Sequence, residues 1–278
     1  MQHAGCGFGI RAAAAIFASA ILASCANLVA SPTERATLLA AENGFYPVAT
    51  ASGLRSFLRR SGESKHLTIY IEGDGARWPH GHPPADPTPP NPLALKLAIA
   101  DANNGSTSVA YVARACQFLS ADELADCPPS RWTDARFSLE AVAATTQVVD
   151  ALMRQSQASA VTLVGYSGGG ALAALVADQR QDVSCLITVA APLDTEAWTS
   201  AHKVSPLFNS LNPARHAATL GVIPEVHFQG LEDRIVSAAT TALYQRNHPL
   251  ARFEVVTGYD HECCWEETWA VRIKNACR

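Results

Sequence analysis

Val161-Thr162-Leu163-Val164-Gly165-Tyr166-Ser167-Gly168-Gly169-Gly170-Ala171-Leu172 holds the most informative turn in this chain. A short apolar, β-branched run enters it, and an Ala/Leu-rich segment leaves it. The first part suits a strand covered on both faces, and 168–179 has the pattern of a helix. Between them Gly165, Ser167 and Gly169 form G-x-S-x-G, which needs this strand–turn–helix context. The turn strains the serine backbone, and side chains at the flanking positions would collide with it, so glycine stands there. The serine oxygen then emerges at the carboxyl end of the sheet, beside the N–H groups of a helix N-terminus. A phosphate-binding glycine turn is the rival reading. It lacks the Lys-Ser/Thr ending of a P-loop and the G-x-G-x-x-G spacing.

On either side, strand-length apolar runs recur at 45–50, 54–59, 67–73, 107–114, 161–165, 185–190, 225–230 and 252–257. Helical patterns fall at 92–102, 135–155, 168–179, 238–246 and 266–276. Alternation of this kind implies right-handed βαβ crossovers. The expected fold is α/β: a mostly parallel central sheet of about eight strands with helices on both faces. One domain, 45–278, accounts for it, preceded by a tether and short helix at 25–44. Two connections are long, 78–91 and 192–224, and each is a candidate lid or substrate wall.

A serine hydroxyl is a weak nucleophile until an oriented base takes its proton. Asp233 follows the seventh strand pattern and His261 the eighth, so both fall at the sheet edge that carries Ser167. Glu232, Asp260 and Asp194 stand as alternative acids nearby, and Asp233 could instead cap a helix. The order Ser167, Asp233, His261, with the elbow at 165–169, resembles that of the α/β-hydrolase superfamily over about 45–276. The resemblance implies acyl transfer through an acyl-enzyme without a cofactor. It also implies a second oxyanion donor after the third strand, where Glu72-Gly73-Asp74-Gly75 stands and the family usually has His-Gly. By that resemblance Asp74 and Gly168 donate backbone N–H groups, with Gly75 as the alternative to Asp74. The expected function is carboxylic-ester hydrolysis on a small-molecule or lipid acyl substrate. Thioester hydrolysis, acyl transfer, or a non-catalytic binding role at the envelope are the alternatives the same fold hosts.

The first residues carry Arg11 and no acid, and 12–23 is almost unbroken small and apolar. That is too short for a membrane span of about 20 residues and reads as a secretory signal over 1–24. Leu22-Ala23-Ser24-Cys25 resembles the bacterial lipobox, which implies acylation of Cys25 and anchorage at the cell envelope. Ala26 in place of an acid favours the outer membrane by the same resemblance.

Composition fits this picture. Only 17% of the 278 residues are charged and 48% are apolar, which excludes extensive disorder. Lys+Arg 21 against Asp+Glu 25 offers no basic face for nucleic acid. Removal of 1–24 takes Arg11 alone, giving 20 − 25 = −5. Export makes disulfides expected among the remaining cysteines. Cys116 and Cys127 bracket a short excursion and are expected to pair; Cys264, or else Cys263, is expected to join Cys277; Cys185 is expected to be a buried thiol. His80, His82 and Asp86 lack the further ligands of a metal site, so no metal is expected. Arg114, Arg131 and Arg136 are read either as structural ion pairs or as recognition of an acidic substrate group.

Overall fold

The strand patterns assemble into one eight-stranded sheet. Its elements are β1 (Tyr46–Pro47), β2 (Ser56–Arg59), β3 (His66–Ile71), β4 (Ser108–Val112), β5 (Ala160–Tyr166), β6 (Val183–Val189), β7 (Glu225–Gly230) and β8 (Arg252–Val256). The order is β1-β2-β4-β3-β5-β6-β7-β8. β2 runs antiparallel to β1 and β4, and every pair from β4 through β8 is parallel. This computed structural model describes residues 30–62, 64–76, 82–105, 107–216 and 223–277. The expected signal and Cys25 lie outside the described residues, as do His80 and Cys6.

Helices α1 (Pro32–Glu42), α2 (Leu93–Asn104) and α8 (Trp265–Ala276) cover one face. On the other lie α4 (Leu139–Ser156), α5 (Gly168–Ala177) and α7 (Ala242–Asn247). Alternation along β3 explains the two cores: Leu67, Ile69 and Ile71 join the α4/α5 side, and Tyr70 joins the α2/α8 side. All ten residues of α5 are buried, which accounts for its near-absence of polar side chains.

Several boundaries differ from the sequence reading. The first strand shrinks to two residues, because Pro47 has no N–H to donate to a ladder. The helix expected from 135 begins at Leu139, where the Ser138 hydroxyl accepts the N–H of Ala141. The 238–246 pattern divides into a 3₁₀ turn at Ala238–Thr241 and then α7. Two short helices were not expected, α3 (Ala121–Ala125) and α6 (Thr195–His202). Each has an acidic first turn and a side-chain N-cap, from Ser120 and Asp194.

The cysteines require one correction. Cys116 and Cys127 are bonded, but Cys277 joins Cys185 rather than Cys264, and Cys263 bonds its neighbour Cys264. Cys185 is thus a disulfide partner and not the buried free thiol expected. In the fold α8 runs back over the α2 face and returns Cys277 to 6.1 Å, Cα to Cα, from Cys185 on β6.

Candidate active site

Ser167 sits between β5 and α5 with φ 50° and ψ −127°, a conformation that costs a non-glycine residue on the order of 1–3 kcal/mol. Its surroundings hold it there. The Ser167 N–H donates to the Val189 carbonyl at 2.8 Å, and Ser167's own carbonyl accepts from Gly170 at 2.8 Å. A Cβ on Gly165 would lie 2.3 Å from the Gly169 carbonyl oxygen, and one on Gly169 would lie 2.3 Å from that of Ile71. The elbow can close only with glycine at both positions.

Three strand ends bring their loops to this point. His261 Nε2 lies 3.0 Å from Ser167 Oγ, and His261 Nδ1 lies 2.9 Å from Asp233 Oδ2. The Asp233 side chain is wholly buried. Its other oxygen, Oδ1, accepts the N–H groups of Ile235 and Val236, both at 2.8 Å. The acid and histidine loops are tied to each other: Glu232 N–H donates to the Tyr259 carbonyl at 3.0 Å, and Leu231 N–H donates to that of Val256 at 2.9 Å. From the far side, Trp198 Nε1 and His202 Nε2 both donate to the Ile235 carbonyl, at 2.8 and 2.7 Å. Since a carbonyl only accepts, His202 carries its proton on Nε2.

Two of the alternative acids, Asp194 and Asp260, are engaged elsewhere. Asp194 caps α6 by accepting from Glu196 and Ala197. Asp260 Oδ1 accepts the N–H groups of Glu262 and Cys263, shaping the turn that carries His261. Arg131 pairs with Glu140 at the surface, whereas Arg114 and Arg136 reach the site.

The turn after β3 faces the elbow. A Cβ on Gly73 would come within 3.2 Å of Ser167 Cβ, and one on Gly168 within 2.0 Å of Asp74 Oδ1. Gly168 is the first residue of α5, so its N–H has no carbonyl in a preceding turn. Burial raises the Asp74 carboxyl, but the guanidinium groups of Arg136 and Arg114 outweigh it and hold the group below its ordinary range. Burial lowers the Arg114 guanidinium. Next to it, burial pushes Glu72 up to about 7, against opposing hydrogen bonds from the Gly73 and Ala94 N–H groups and the Tyr111 hydroxyl.

Over Ser167 opens a cleft of about 1590 Å³, walled by Phe137, Trp198, Leu207, Leu231 and Ile235, with Cys263 beside His261. The 192–224 connection supplies Pro192 and Val204 to Leu207 as one side of it. Among the described residues, no cluster of three or more His, Cys, Asp or Glu is placed to hold a metal ion. Asp86 instead accepts the Thr88 N–H at 2.7 Å. Sequence reasoning did not single out Gln117, Trp198 or His202, because each acts across tens of residues without a local motif.

The sequence matches no protein-family model and no curated protein. Solved structures do resemble the fold. An esterase from Pyrococcus furiosus superposes with a TM-score of 0.62 at 12% identity, covering 84% of this chain and 91% of that one. An alpha-beta serine hydrolase homologue from Coxiella burnetii gives 0.55 at 17% identity, covering 83% and 93%. The acylaminoacyl peptidase of Pyrococcus horikoshii gives 0.61 at 10% identity, covering 84% of this chain and 42% of that one. An esterase and a peptidase on one scaffold show that the architecture does not name the bond cleaved. With its eight-stranded, mainly parallel sheet and the loops of Ser167, Asp233 and His261 at one edge, the chain has the α/β-hydrolase fold.

Proposed function

We propose that this protein is a serine hydrolase that cleaves carboxylic esters. The observation that carries the reading is the continuous Ser167–His261–Asp233 chain, at 3.0 and 2.9 Å, opening onto a cleft lined by both apolar and charged side chains. In the reaction Ser167 Oγ attacks the ester carbonyl while His261 Nε2 accepts the hydroxyl proton. Asp233 holds Nδ1–H and stabilises the imidazolium. The N–H groups of Gly168 and Asp74 receive the developing oxyanion, a pair in which each donor is typically worth ~10²–10³ in kcat. Collapse expels the alcohol, which takes the proton from His261. Water then attacks the acyl carbonyl while His261 takes one of its protons, and as the intermediate collapses to the free acid that proton passes from His261 to the departing Ser167 Oγ. Phe137, Trp198 and Leu207 offer the acyl or alcohol part an apolar surface, beside the charged Arg136, Lys203 and Arg234 of the same cleft.

Labelling by a fluorophosphonate probe and turnover of a p-nitrophenyl ester panel test this. Wild type is expected to do both, and Ser167→Ala and His261→Ala neither. Absence of labelling in folded, oxidised wild type would refute the reading. Location at the bacterial envelope belongs to the same proposal and is supported by the N-terminal sequence: Cys25 would carry lipid that tethers the domain. Cys25→Ser should abolish palmitate incorporation, and unchanged incorporation would sink the anchor.

A further inference from the structure

The turn after β3 is gripped on every side by residues with no direct part in that chemistry. Glu72 Oε1 accepts the Gly73 N–H at 2.9 Å, and Gln117 Nε2 donates to the Gly73 carbonyl at 2.9 Å. The two oxygens of Asp74 are divided between Arg114 Nη1 at 3.0 Å and Arg136 Nη1 at 2.8 Å. Gln117 is itself buried at 1% exposure, and its amide oxygen accepts the Arg114 N–H at 3.0 Å. It stands between two residues with left-handed backbones, Cys116 (φ 67°) and Phe118 (φ 58°), on a loop closed by the Cys116–Cys127 bond. The Phe118 N–H donates to Thr88 Oγ1 at 2.8 Å. A rotation of the Gln117 amide would break bonds at both of its ends.

The Gly73–Asp74 peptide is trans. In a trans peptide the carbonyl and the following N–H point in opposite directions. Fixing the Gly73 oxygen on Gln117 therefore fixes the heading of the Asp74 N–H, away from Gln117. The elbow adjoins this turn: a Cβ on Gly73 would lie 3.2 Å from Ser167 Cβ, and one on Gly168 2.0 Å from Asp74 Oδ1.

We propose that Gln117, through the Gly73 carbonyl, and Arg114 with Arg136, through the Asp74 carboxylate, are positioning residues that aim the Asp74 N–H at the oxyanion formed on Ser167. This rests on the serine-hydrolase reading above. The residue types suit the task. A neutral amide supplies one donor and one acceptor, so it can bond a carbonyl and its own loop N–H together. Two guanidinium groups fix both torsions of the Asp74 side chain. They also leave a net positive charge beside the oxyanion, where a lone carboxylate would oppose it.

Gln117→Glu sets an oxygen in place of the donating NH₂ at nearly the same volume, facing the Gly73 oxygen. Its kcat on a p-nitrophenyl ester should fall by roughly 10- to 100-fold with KM held within about threefold. The deficit relative to wild type should shrink as pH falls and the introduced carboxyl regains a proton to donate. Gln117→Met has no polar end; it should lose kcat likewise, with no recovery at low pH, and it serves if the first variant does not fold. A kcat within about threefold of wild type in either folded variant, or a loss carried by KM alone, overturns the proposal. Wild type that neither turns over the ester nor labels at Ser167 overturns the serine-hydrolase reading itself, before any variant is compared.

Discussion

Asp233→Asn replaces one oxygen by an NH₂ group and asks whether the carboxylate dictates the histidine tautomer. Asp233 Oδ1 accepts two backbone N–H groups at 2.8 Å, from Ile235 and Val236, and Oδ2 faces His261 Nδ1 at 2.9 Å. An asparagine amide has one accepting and one donating end. With its oxygen kept on the two N–H groups, its NH₂ meets Nδ1, so the ring proton moves to Nε2. There it faces Ser167 Oγ at 3.0 Å and donates to the serine instead of accepting from it. The flipped amide would free the ring but oppose two buried N–H donors, at about 1–3 kcal/mol each. Roughly 2–6 kcal/mol therefore favours the unproductive arrangement, a factor of about 30 to about 10⁴ in competent enzyme. Steady-state hydrolysis of a p-nitrophenyl ester should show that loss in kcat with little change in KM. Thermal unfolding should shift by only a few degrees, because the two backbone hydrogen bonds survive. A folded variant with kcat within about threefold of wild type would mean that Asp233 does not govern the imidazole.

Gly165→Ala puts a Cβ 2.3 Å from the Gly169 oxygen and 2.4 Å from Gly170 Cα, both backbone; activity should vanish together with more than about 2 kcal/mol of stability in urea, and an unchanged midpoint would contradict the packing described. Burial pushes the Glu225 carboxyl up, yet hydrogen bonds involving His227 and His248 outweigh it and bring it from 4.5 to about 2. Between those pH values the unfolded chain takes a proton that the folded one refuses, so stability should fall as pH drops from about 4.5 to about 2. Glu225→Gln should flatten that limb of a urea–pH series, and an identical slope would remove Glu225 as its cause. The double change Cys185→Ser with Cys277→Ser should cost about 2–5 kcal/mol in chemical denaturation. It should exceed the cost of Cys116→Ser with Cys127→Ser, since the bonds span 92 and 11 residues; equal losses would argue against a loop-closure origin.

Much of the site could be read from residues alone because it lies where strands end. Val161 to Gly165 marks a strand by composition, and its turn chemistry places Ser167 without reference to the rest of the chain. Asp233 and His261 follow two further strands, and parallel strands bring their carboxyl ends to one edge whatever lies between. What stayed hidden depends on distant approach. Cys277 meets Cys185 only because α8 doubles back over the sheet, a direction that no local pattern encodes. Gln117 is an ordinary loop residue until Gly73 is seen 44 positions away in sequence. Arg114 and Arg136 were legible as charges but not as the two holders of Asp74. α6 was missed because only Thr195 and Thr199 of it are buried, so it carries no apolar stripe.

The Cys185–Cys277 bond changes how the site should come apart. The loop bearing His261 starts at β8 and continues into α8, whose Trp265 donates to the Asp260 carbonyl at 3.1 Å and whose Trp269 donates to the Tyr70 hydroxyl at 2.8 Å. Tyr70 in turn donates to Asp101 on α2 at 3.0 Å. With its far end sewn to β6, α8 cannot fray or peel away on its own, so the histidine belongs to the same cooperative unit as the central sheet. Loss of function on heating would then coincide with global melting rather than precede it.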